Sequence, residues 1–446
     1  MSSLFQTLPR QPVPPAPAPA AARVRAPERD QLILCPGSLD ELLPRDHLAR
    51  MVVAFVAQLD LSAPYAAIRA REGAPGHPPP DPRLLVALWL YATIDGVGSA
   101  RELARLCEAH IAYQWLCGGV STNHHRLSDF RLAHGAWVDA ALTHSIAALL
   151  AAGVISLART AQDGLRVRAA AGSASFRRQA SLRTHLAAAE QQVQTLKREL
   201  EHAPEASRTR QQAAELRAAT EREARLKLAL AALPAAEART VRNKGKGEDA
   251  RVSSTDAEAT VMKMPGGGFR PAYNTQLTAE TGHGLVVGTD VTDTGADQPS
   301  LVPMMGQIGT RDGQYPGEHL VDGGFAGRDG ITQLARLGVT VYAPPRQSKT
   351  GEAGAAKPDD TPELIAWRRR MATDEAQTIY RQRAATIEWV NAGFRNRGFR
   401  QVAVRGRHKV RSIVGWQALA HNLLCILRHR ALAEVFRLPV PEMVAA

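Results

Sequence analysis

The spacing of apolar residues changes twice along this chain of 446 residues, and the change limits the folds that it can adopt. A strand-like segment surrounds Asp163, and strand-like segments return from Asn274. Between them, apolar residues repeat with the 4-3-4-3-4 spacing of a heptad seam, at Leu182, Leu186, Ala189, Val193, Leu196 and Leu200. Pro204 interrupts the pattern before a weaker seam resumes. We therefore predict a coiled-coil-like helical hairpin over residues 175–245, inserted into an α/β domain; a parallel coiled coil that joins two chains is the alternative.

The segments after the hairpin follow an α/β order. The stretch "NTQLTAETGHGLVVGTDVTD" contains two β-rich runs around turn residues, which predicts a β-hairpin. A helix-like stretch, a short strand that ends at Asp322, another helix, a further strand and a long helix follow. This order predicts a mixed-sheet domain over residues 156–435.

The part before this domain, residues 31–155, is predicted to be all-helical. Its short apolar periods are joined by tight Gly turns, which suit either a helix-turn-helix unit or a plain helical bundle. Residues 1–30 are rich in Pro and Ala and are predicted to be disordered, and residues 436–446 are predicted to form a tail.

The charge of the chain indicates a polyanionic partner. The formal net charge is +12, and residues 361–430 hold 14 Lys and Arg against 4 Asp and Glu, a net of +10. A surplus of this kind is typical of proteins that bind nucleic acid or an acidic membrane surface. The four cysteines form no CxxC pair, and no signal peptide or apolar stretch of membrane-spanning length is recognised, so we expect a cytoplasmic protein.

Three acidic residues suggest a metal-dependent site. Asp163 lies in the first strand of the α/β part, Asp322 at the end of a later strand, and Glu388 in the basic final section. Carboxylates that a sheet and a helix bring together need a cation among them or raised pKa values. Oxygen ligands alone suit two Mg²⁺ ions, with Mn²⁺ as a substitute, and such a pair acts on phosphodiesters. The alternative is that Asp322 caps the next helix and that Glu388 is a surface residue.

Several motifs resemble those of bacterial insertion-sequence transposases of the DDE type. They are "AQDGLRVRA", "MKMPGGGFRPAYNTQL", "LVDGGF" and "YRQRAATIEWVNAGFRNRGFR". The stretches "LLPRDHLAR", "DPRLLVALWLY" and "LSDFRLAHG" are similar to the helical leader of one branch of that family. The resemblance extends from about residue 31 to residue 430.

The resemblance implies an RNase H-like catalytic core. In that fold the first acid lies on the first strand, the second at the end of the fourth and the third on a following helix, which agrees with Asp163, Asp322 and Glu388. It also implies that the protein binds the inverted repeats of its element on double-stranded DNA, cuts them and joins the freed ends to target DNA. Paired ends imply a dimer or larger assembly, associated with the bacterial nucleoid.

A signature on the last helix implies which residues hold the DNA end. Tyr380, Arg383, Glu388 and Arg395 match it, but four residues separate Arg383 from Glu388 where the usual pattern has three. Arg381 and Arg395 each lie seven residues from Glu388, so a regular helix would place all three on one face. The nearby Arg397 and Arg400 complete the predicted DNA-binding set.

Other segments offer weaker candidates. Asp290, Asp293 and Asp297 are rivals for the second acid, with capping and turn formation as the alternative. The glycines of "PGGGF" could hold a phosphate or form a plain turn, and His124, His125 and His134 could bind metal or begin a helix. Trp389 and Phe394 could stack on bases or pack in the core. The basic residues around "WRRR" and from Arg405 to Arg411 are predicted to contact phosphates.

Two other functions compete with transposition. A decayed transposase that retains DNA binding would act as a repressor of its element, and a nuclease with the same core would cut DNA without joining it. The presence of all three acids favours a catalytic protein.

Overall fold

The computed structural model describes residues 37–68, 70, 78–201, 206–345 and 356–439. The predicted disordered segment, residues 1–30, lies outside these ranges, as do residues 440–446 of the predicted tail. Phe436 and Leu438, at the start of that tail, are buried, and the ring of Phe436 packs on Phe55 with a centroid distance of 5.4 Å.

The N-terminal part is helical as far as it is described. After a 3₁₀ turn at Leu39–Leu42, its helices are α1 (Leu48–Val56), α2 (Ser62–Ala66), α3 (Pro82–Ile94), α4 (Ala100–Ala109), α5 (Ile111–Cys117), α6 (His124–Ala133) and α7 (Gly135–Ala151). Local capping explains several of the starts. Asp81 accepts a hydrogen bond from the Arg83 N–H at 2.7 Å, next to a proline that needs no donor partner.

A mixed sheet forms the centre of the α/β part. Its strands are β1 (Arg159–Arg168), β4 (Thr260–Lys263), β5 (Phe269–Glu280), β6 (Val286–Thr292), β7 (Glu318–Leu320) and β8 (Thr340–Tyr342), and a separate two-stranded sheet joins β2 (Phe176–Arg177) to β3 (Val252–Ser253). β1 pairs antiparallel with β5 on one side and parallel with β7 on the other. β8 follows β7 in parallel, while β4 and β6 pair antiparallel with β5. The predicted mixed sheet and the predicted β5–β6 hairpin are therefore confirmed.

The heptad region forms helices that pack along each other within one chain. They are α8 (Gln179–Glu201) and α9 (Ala206–Ala231), followed by α10 (Leu233–Arg242). Glu190 on α8 pairs with Lys227 on α9 at 3.5 Å, and Leu182 and Leu226 share a buried apolar cluster with Val252 of β3. This cluster fixes the base of the hairpin to the two-stranded sheet.

The remaining helices cover the sheet. They are α11 (Leu301–Asp312), α12 (Arg328–Arg336), α13 (Pro362–Met371), α14 (Asp374–Arg383), α15 (Trp389–Asn396), α16 (Arg407–Arg428) and α17 (Arg430–Val435), with a π-helical segment, Ala384–Glu388, between α14 and α15. α16 contacts α3 and α7 of the N-terminal part as well as β6. The helical and α/β parts therefore share one continuous apolar core.

The apolar character of α16 follows from this position. Among the described helices it has the length and composition of a membrane span, so the expectation that no stretch reaches that length is wrong. However, 78% of its most apolar window is buried inside the protein, as in the core helix of a soluble protein.

Candidate active site

The sheet brings Asp163 and Asp322 to neighbouring positions. Ala161 of β1 pairs with Leu320 of β7, and the two aspartates lie two residues further along their parallel chains. Side chains two residues apart in a strand share a face, and neighbouring strands are about 4.8 Å apart. The negative charge of Asp322 correspondingly acts to raise the pKa of Asp163.

The π-helical segment brings Arg383 and Glu388 to the same point. A π turn places residues i and i+5 on one face, just as an α-helix does for i and i+4. The guanidinium of Arg383 donates to Oε1 of Glu388 at 3.1 Å and lies 3.7 Å from Oδ1 of Asp163. The extra residue between Arg383 and Glu388 is therefore absorbed by the π turn, and Arg383 keeps its contact with the glutamate.

Asp163 is held by two neutral donors and is largely removed from water. Its Oδ2 accepts from the amide of Asn391 at 3.0 Å and its Oδ1 from the N–H of Gly164 at 2.9 Å. Burial raises the pKa of Asp163 to about 6, against the opposing effect of the Arg383 charge. Asn391, three residues after Glu388 and 4% exposed, was missed by the sequence reasoning; a polar residue within the apolar run "WVNAGF" was its only signal.

Tyr380 borders the same cluster. It is half-buried, and burial raises the pKa of its phenol. The charges of Arg383, Asp322, Asp163 and Glu388 all act on this pKa as well, so the phenol lies among the predicted site residues.

Asp322 forms a turn and does not cap a helix. The next helix, α12, has Gly327 at its N-cap position and no side-chain cap. Oδ1 of Asp322 instead accepts from the N–H of Gly324 at 2.7 Å. A Cβ on Gly324 would stand 2.9 Å from that oxygen, so the second glycine of "VDGGF" leaves room for the carboxylate itself.

The rival acids have other partners. Asp290 pairs with Arg411 at 2.7 Å, and Asp293 pairs with Arg239 at 2.6 Å. Asp297 accepts from the side-chain amides of two β5 residues, Asn274 at 2.7 Å and Gln276 at 2.8 Å.

Asp297 nevertheless influences the candidate site. It lies over Gly164, where any Cβ would overlap its Oδ1. Because side chains alternate along a strand, Gly164 and Asp163 face opposite sides of the sheet. Asp297 therefore approaches from the far face, and its charge contributes to the raised pKa of Asp163.

The acidic residues suit a divalent cation, although no cluster of three His, Cys, Asp or Glu side chains is preformed among the described residues. The Arg383 guanidinium lies between Asp163 and Glu388, as a cation shared by two carboxylates would. The side-chain carbonyl oxygen of Asn391 is buried beside Asp163 without a hydrogen-bond partner. These oxygen donors suit Mg²⁺ or Mn²⁺, and the position of the guanidinium shows that a positive charge fits between the carboxylates.

The other predicted DNA-binding arginines differ in accessibility. Arg381 and Arg400 are exposed and Arg395 is half-buried. Because the π segment adds a residue, Arg381 is turned by about 100° from the face that it would share with Glu388 in a regular helix, so that part of the face prediction is wrong. Arg397 packs on Phe394 and lies 3.3 Å from His421, and burial lowers its pKa to about 10; this placement gives no support to a phosphate contact.

The basic runs are only partly available to DNA. In "WRRR", Trp367 is buried and Arg368 pairs with Asp360 at 2.6 Å, so these two residues stabilise the fold. Arg407 lies 3.4 Å from Glu258, and Arg411 contacts Asp290 as described above.

Three further candidates are resolved by their surroundings. Phe394 is fully buried, which excludes base stacking, whereas Trp389 is 40% exposed beside Glu388. The glycines of "PGGGF" form the turn between β4 and β5, closed by a hydrogen bond from the Met264 N–H to the Gly268 carbonyl at 3.0 Å. His124 and His125 begin α6, and no metal-binding group includes them among the described residues.

Two family models match the chain. A transposase domain (DUF772) matches residues 37–132, and a transposase DDE domain matches residues 346–427, which include Tyr380, Arg383, Glu388 and Arg395. No curated protein and no solved structure gives a match. The mixed α/β fold is consistent with these two domains, and the two matches support a DNA transposase. The chain carries the domains of a DDE-type insertion-sequence transposase, so the resemblance seen in the sequence is confirmed.

Proposed function

We propose that this transposase binds the terminal inverted repeats of its own element, cleaves the DNA there and transfers the freed 3′ ends to target DNA. The observation that carries the proposal is the position of Asp163 beside Asp322 on neighbouring parallel strands, with the Arg383 guanidinium in contact with both Asp163 and Glu388. We also propose that the α/β part has an RNase H-like core. The sheet order β6-β5-β1-β7-β8 supports it, because β7, which leads to Asp322, is the fourth of these strands in chain order.

Asp163, Asp322 and Glu388 would hold two divalent ions, Mg²⁺ or Mn²⁺. When bound, such ions activate a water or a 3′-hydroxyl and stabilise the leaving oxygen of a phosphodiester. The residues of the chain prepare this site. Asn391 and the Gly164 N–H orient the two oxygens of Asp163. Because the pKa of Asp163 is raised to about 6, this carboxyl group must lose its proton before it can bind a cation.

Arg383 and Tyr380 would act on the DNA. The guanidinium of Arg383, which contacts Asp163 and Glu388, would donate to a phosphate oxygen of the bound DNA. The phenol of Tyr380 borders the same cluster and would donate a hydrogen bond to the strand that is cut. Arg381, Arg395 and Arg400 would contact the flanking backbone, and Trp389 would stack on an exposed base.

In the two steps, each bond broken is matched by one formed. In cleavage, water attacks the phosphorus at the end of the element, the bond from phosphorus to the 3′ oxygen breaks, and the oxygen leaves as a 3′-hydroxyl. In transfer, that hydroxyl attacks a target phosphodiester and releases a new 3′-hydroxyl from the target strand. Paired ends would need at least two copies of the chain, and we propose a cytoplasmic location at the nucleoid.

The test uses DNA that carries the inverted repeats flanking the gene, labelled at the 5′ end of the transferred strand so that both the cut strand and the joined product keep the label. Wild-type protein, Asp322→Ala and the control Asp290→Ala are each incubated with EDTA, Mg²⁺ or Mn²⁺. We expect metal-dependent cleavage by wild type and Asp290→Ala, with none by Asp322→Ala, and DNA binding by all three. Cleavage by Asp322→Ala would refute its role, binding without any cleavage would indicate a repressor, and nicks without joined product would indicate a nuclease.

A further inference from the structure

A basic cavity lies between the inserted hairpin and the α/β part. Its volume is about 230 Å³, and four arginines line it: Arg177 of β2, Arg222 and Arg225 of α9, and Arg405 before α16. These residues come from three segments far apart in sequence. The cavity is therefore a product of the fold and not of one basic run.

The positive charge in this cavity is mostly unbalanced. Glu221 lies 3.6 Å from Arg225, but among the described residues no carboxylate lies within 4.0 Å of the guanidinium of Arg177, Arg222 or Arg405. Burial, together with the charges of Arg405 and Arg222, lowers the pKa of Arg225. Guanidinium groups that repel one another and lack acidic partners are arranged for an anion.

The walls of the cavity are held in place. Leu226, which also lines it, is 2% exposed and belongs to the apolar cluster that joins α8, α9 and β3. Arg178, next to Arg177, pairs with Asp249 at 2.7 Å. Thr255 also lines the wall, as does Ser254, whose hydroxyl donates to the Ser175 carbonyl at 3.2 Å. Guanidinium groups that converge on one space suit the oxygens of a phosphate group.

The position of the cavity relates it to DNA bound at the candidate active site. Gln401, four residues before Arg405, bridges to Arg168 at the end of β1. Asp163 lies five residues from Arg168 in that strand, a distance of about 17 Å. At about 3.4 Å per base pair, this end of β1 lies about five base pairs from a strand held at Asp163, and the segment that leads to Arg405 passes beside it.

We propose that this arginine cavity binds a backbone phosphate of duplex DNA, so that the inserted hairpin takes part in DNA binding. The inference rests on the transposase function, but it requires only DNA binding and not cleavage. The probe is therefore a duplex of 40 base pairs without inverted repeats, with the full-length protein in EDTA, so that a failure of the cleavage assay leaves this test unaffected.

The experiment compares two double variants with equal loss of charge. Arg222→Gln/Arg405→Gln removes cavity charge, whereas Arg183→Gln/Arg217→Gln removes two exposed arginines of the same hairpin that do not line the cavity. Binding is measured by fluorescence anisotropy over a range of salt concentrations. We expect the cavity variant to reduce the slope of log K against log salt by about 0.9, which weakens binding about eightfold at 0.1 M salt, while the control changes it much less. Equal effects of the two double variants would overturn the proposal, because they would show that DNA binding depends on the total positive charge and not on the cavity.

A second arm separates DNA phosphate from a free anion. Inorganic phosphate is titrated calorimetrically into wild type and the cavity variant. Saturable phosphate binding that the variant loses, with an unchanged DNA salt slope, would overturn the DNA assignment. A reduced slope in the variant supports it. Thermal melting of both variants at the wild-type temperature verifies that they are folded.

Discussion

Replacing Arg383 by Gln should make the stability of the protein depend on pH in a calculable way. Among the described residues, Arg383 is the one cation within 4.0 Å of Asp163. Without it, and without metal, the ionised form of Asp163 loses its counter-charge while Asp322 and Asp297 still oppose it. Asp163 can avoid this penalty by taking up a proton, and the free energy of that proton uptake limits the loss of stability.

The limit follows from the pKa of about 6 for Asp163. Neutralising a group of that pKa costs about 1.4 kcal/mol at pH 7, about 2.7 kcal/mol at pH 8 and only about 0.2 kcal/mol at pH 5.5. The folded pKa is raised above its unfolded value of 3.8, so the stabilising proton is present at low pH and lost as pH rises through the folded pKa. The contact with Glu388 contributes little, because the glutamate side chain is 60% exposed to water.

The assay is urea unfolding in EDTA at pH 5.5, 7 and 8. We expect Arg383→Gln to lose less than about 0.5 kcal/mol at pH 5.5 and up to about 2–3 kcal/mol at pH 8 relative to wild type. Arg381→Gln, an exposed arginine two residues away, serves as the control and should show no trend. Added Mg²⁺ should restore the variant at pH 8. A difference between Arg383→Gln and wild type that is constant with pH would refute the reasoning.

Two further predictions concern cleavage. Asp297→Asn removes a charge that raises the pKa of Asp163, so the acid side of the pH profile for single-turnover cleavage should move to lower pH at fixed Mg²⁺; a move to higher pH would contradict it. Deleting Ala385, exposed in the π segment, should leave Arg383 and Glu388 as an i, i+4 pair and keep cleavage within about tenfold, a change below about 1.4 kcal/mol. Inserting an Ala after Ala385 should slow cleavage by about 10²-fold, because it misplaces one partner, and equal rates for both changes would reject the π-turn argument.

The order of the strands could be predicted from the sequence because each strand has its own local pattern. Alternation and turn residues identified the β5–β6 hairpin, and an apolar run before an acid and two glycines identified the strand that leads to Asp322. The parallel pairing of β1 and β7 then follows from the sheet, and it explains how residues 159 positions apart become neighbours. Local patterns therefore predicted the α/β class and the mixed sheet.

The partners of the basic residues could not be predicted in this way. Arg368 is buried against Asp360, and Arg411 contacts Asp290, which is 121 residues away in the sequence. Such pairings depend on the packing of distant segments, which charge counts along the chain do not contain. The π turn was also missed, because the predicted helical face assumed a constant 3.6 residues per turn. Its sequence signal was present as the extra residue before Glu388.

The π turn and the buried guanidinium together place one positive charge against two of the proposed site's carboxylates. Neighbouring carboxylates repel one another, and Asp163 is too buried for water alone to stabilise its negative charge. An arginine on an adjacent helical turn can balance them only if it reaches both Asp163 and Glu388, and the i, i+5 geometry gives Arg383 that reach. The same side chain would donate to a phosphate oxygen of bound DNA in the proposed reaction. The i, i+5 geometry therefore lets one arginine stabilise the ionised form of Asp163 and contact Glu388 at the same time.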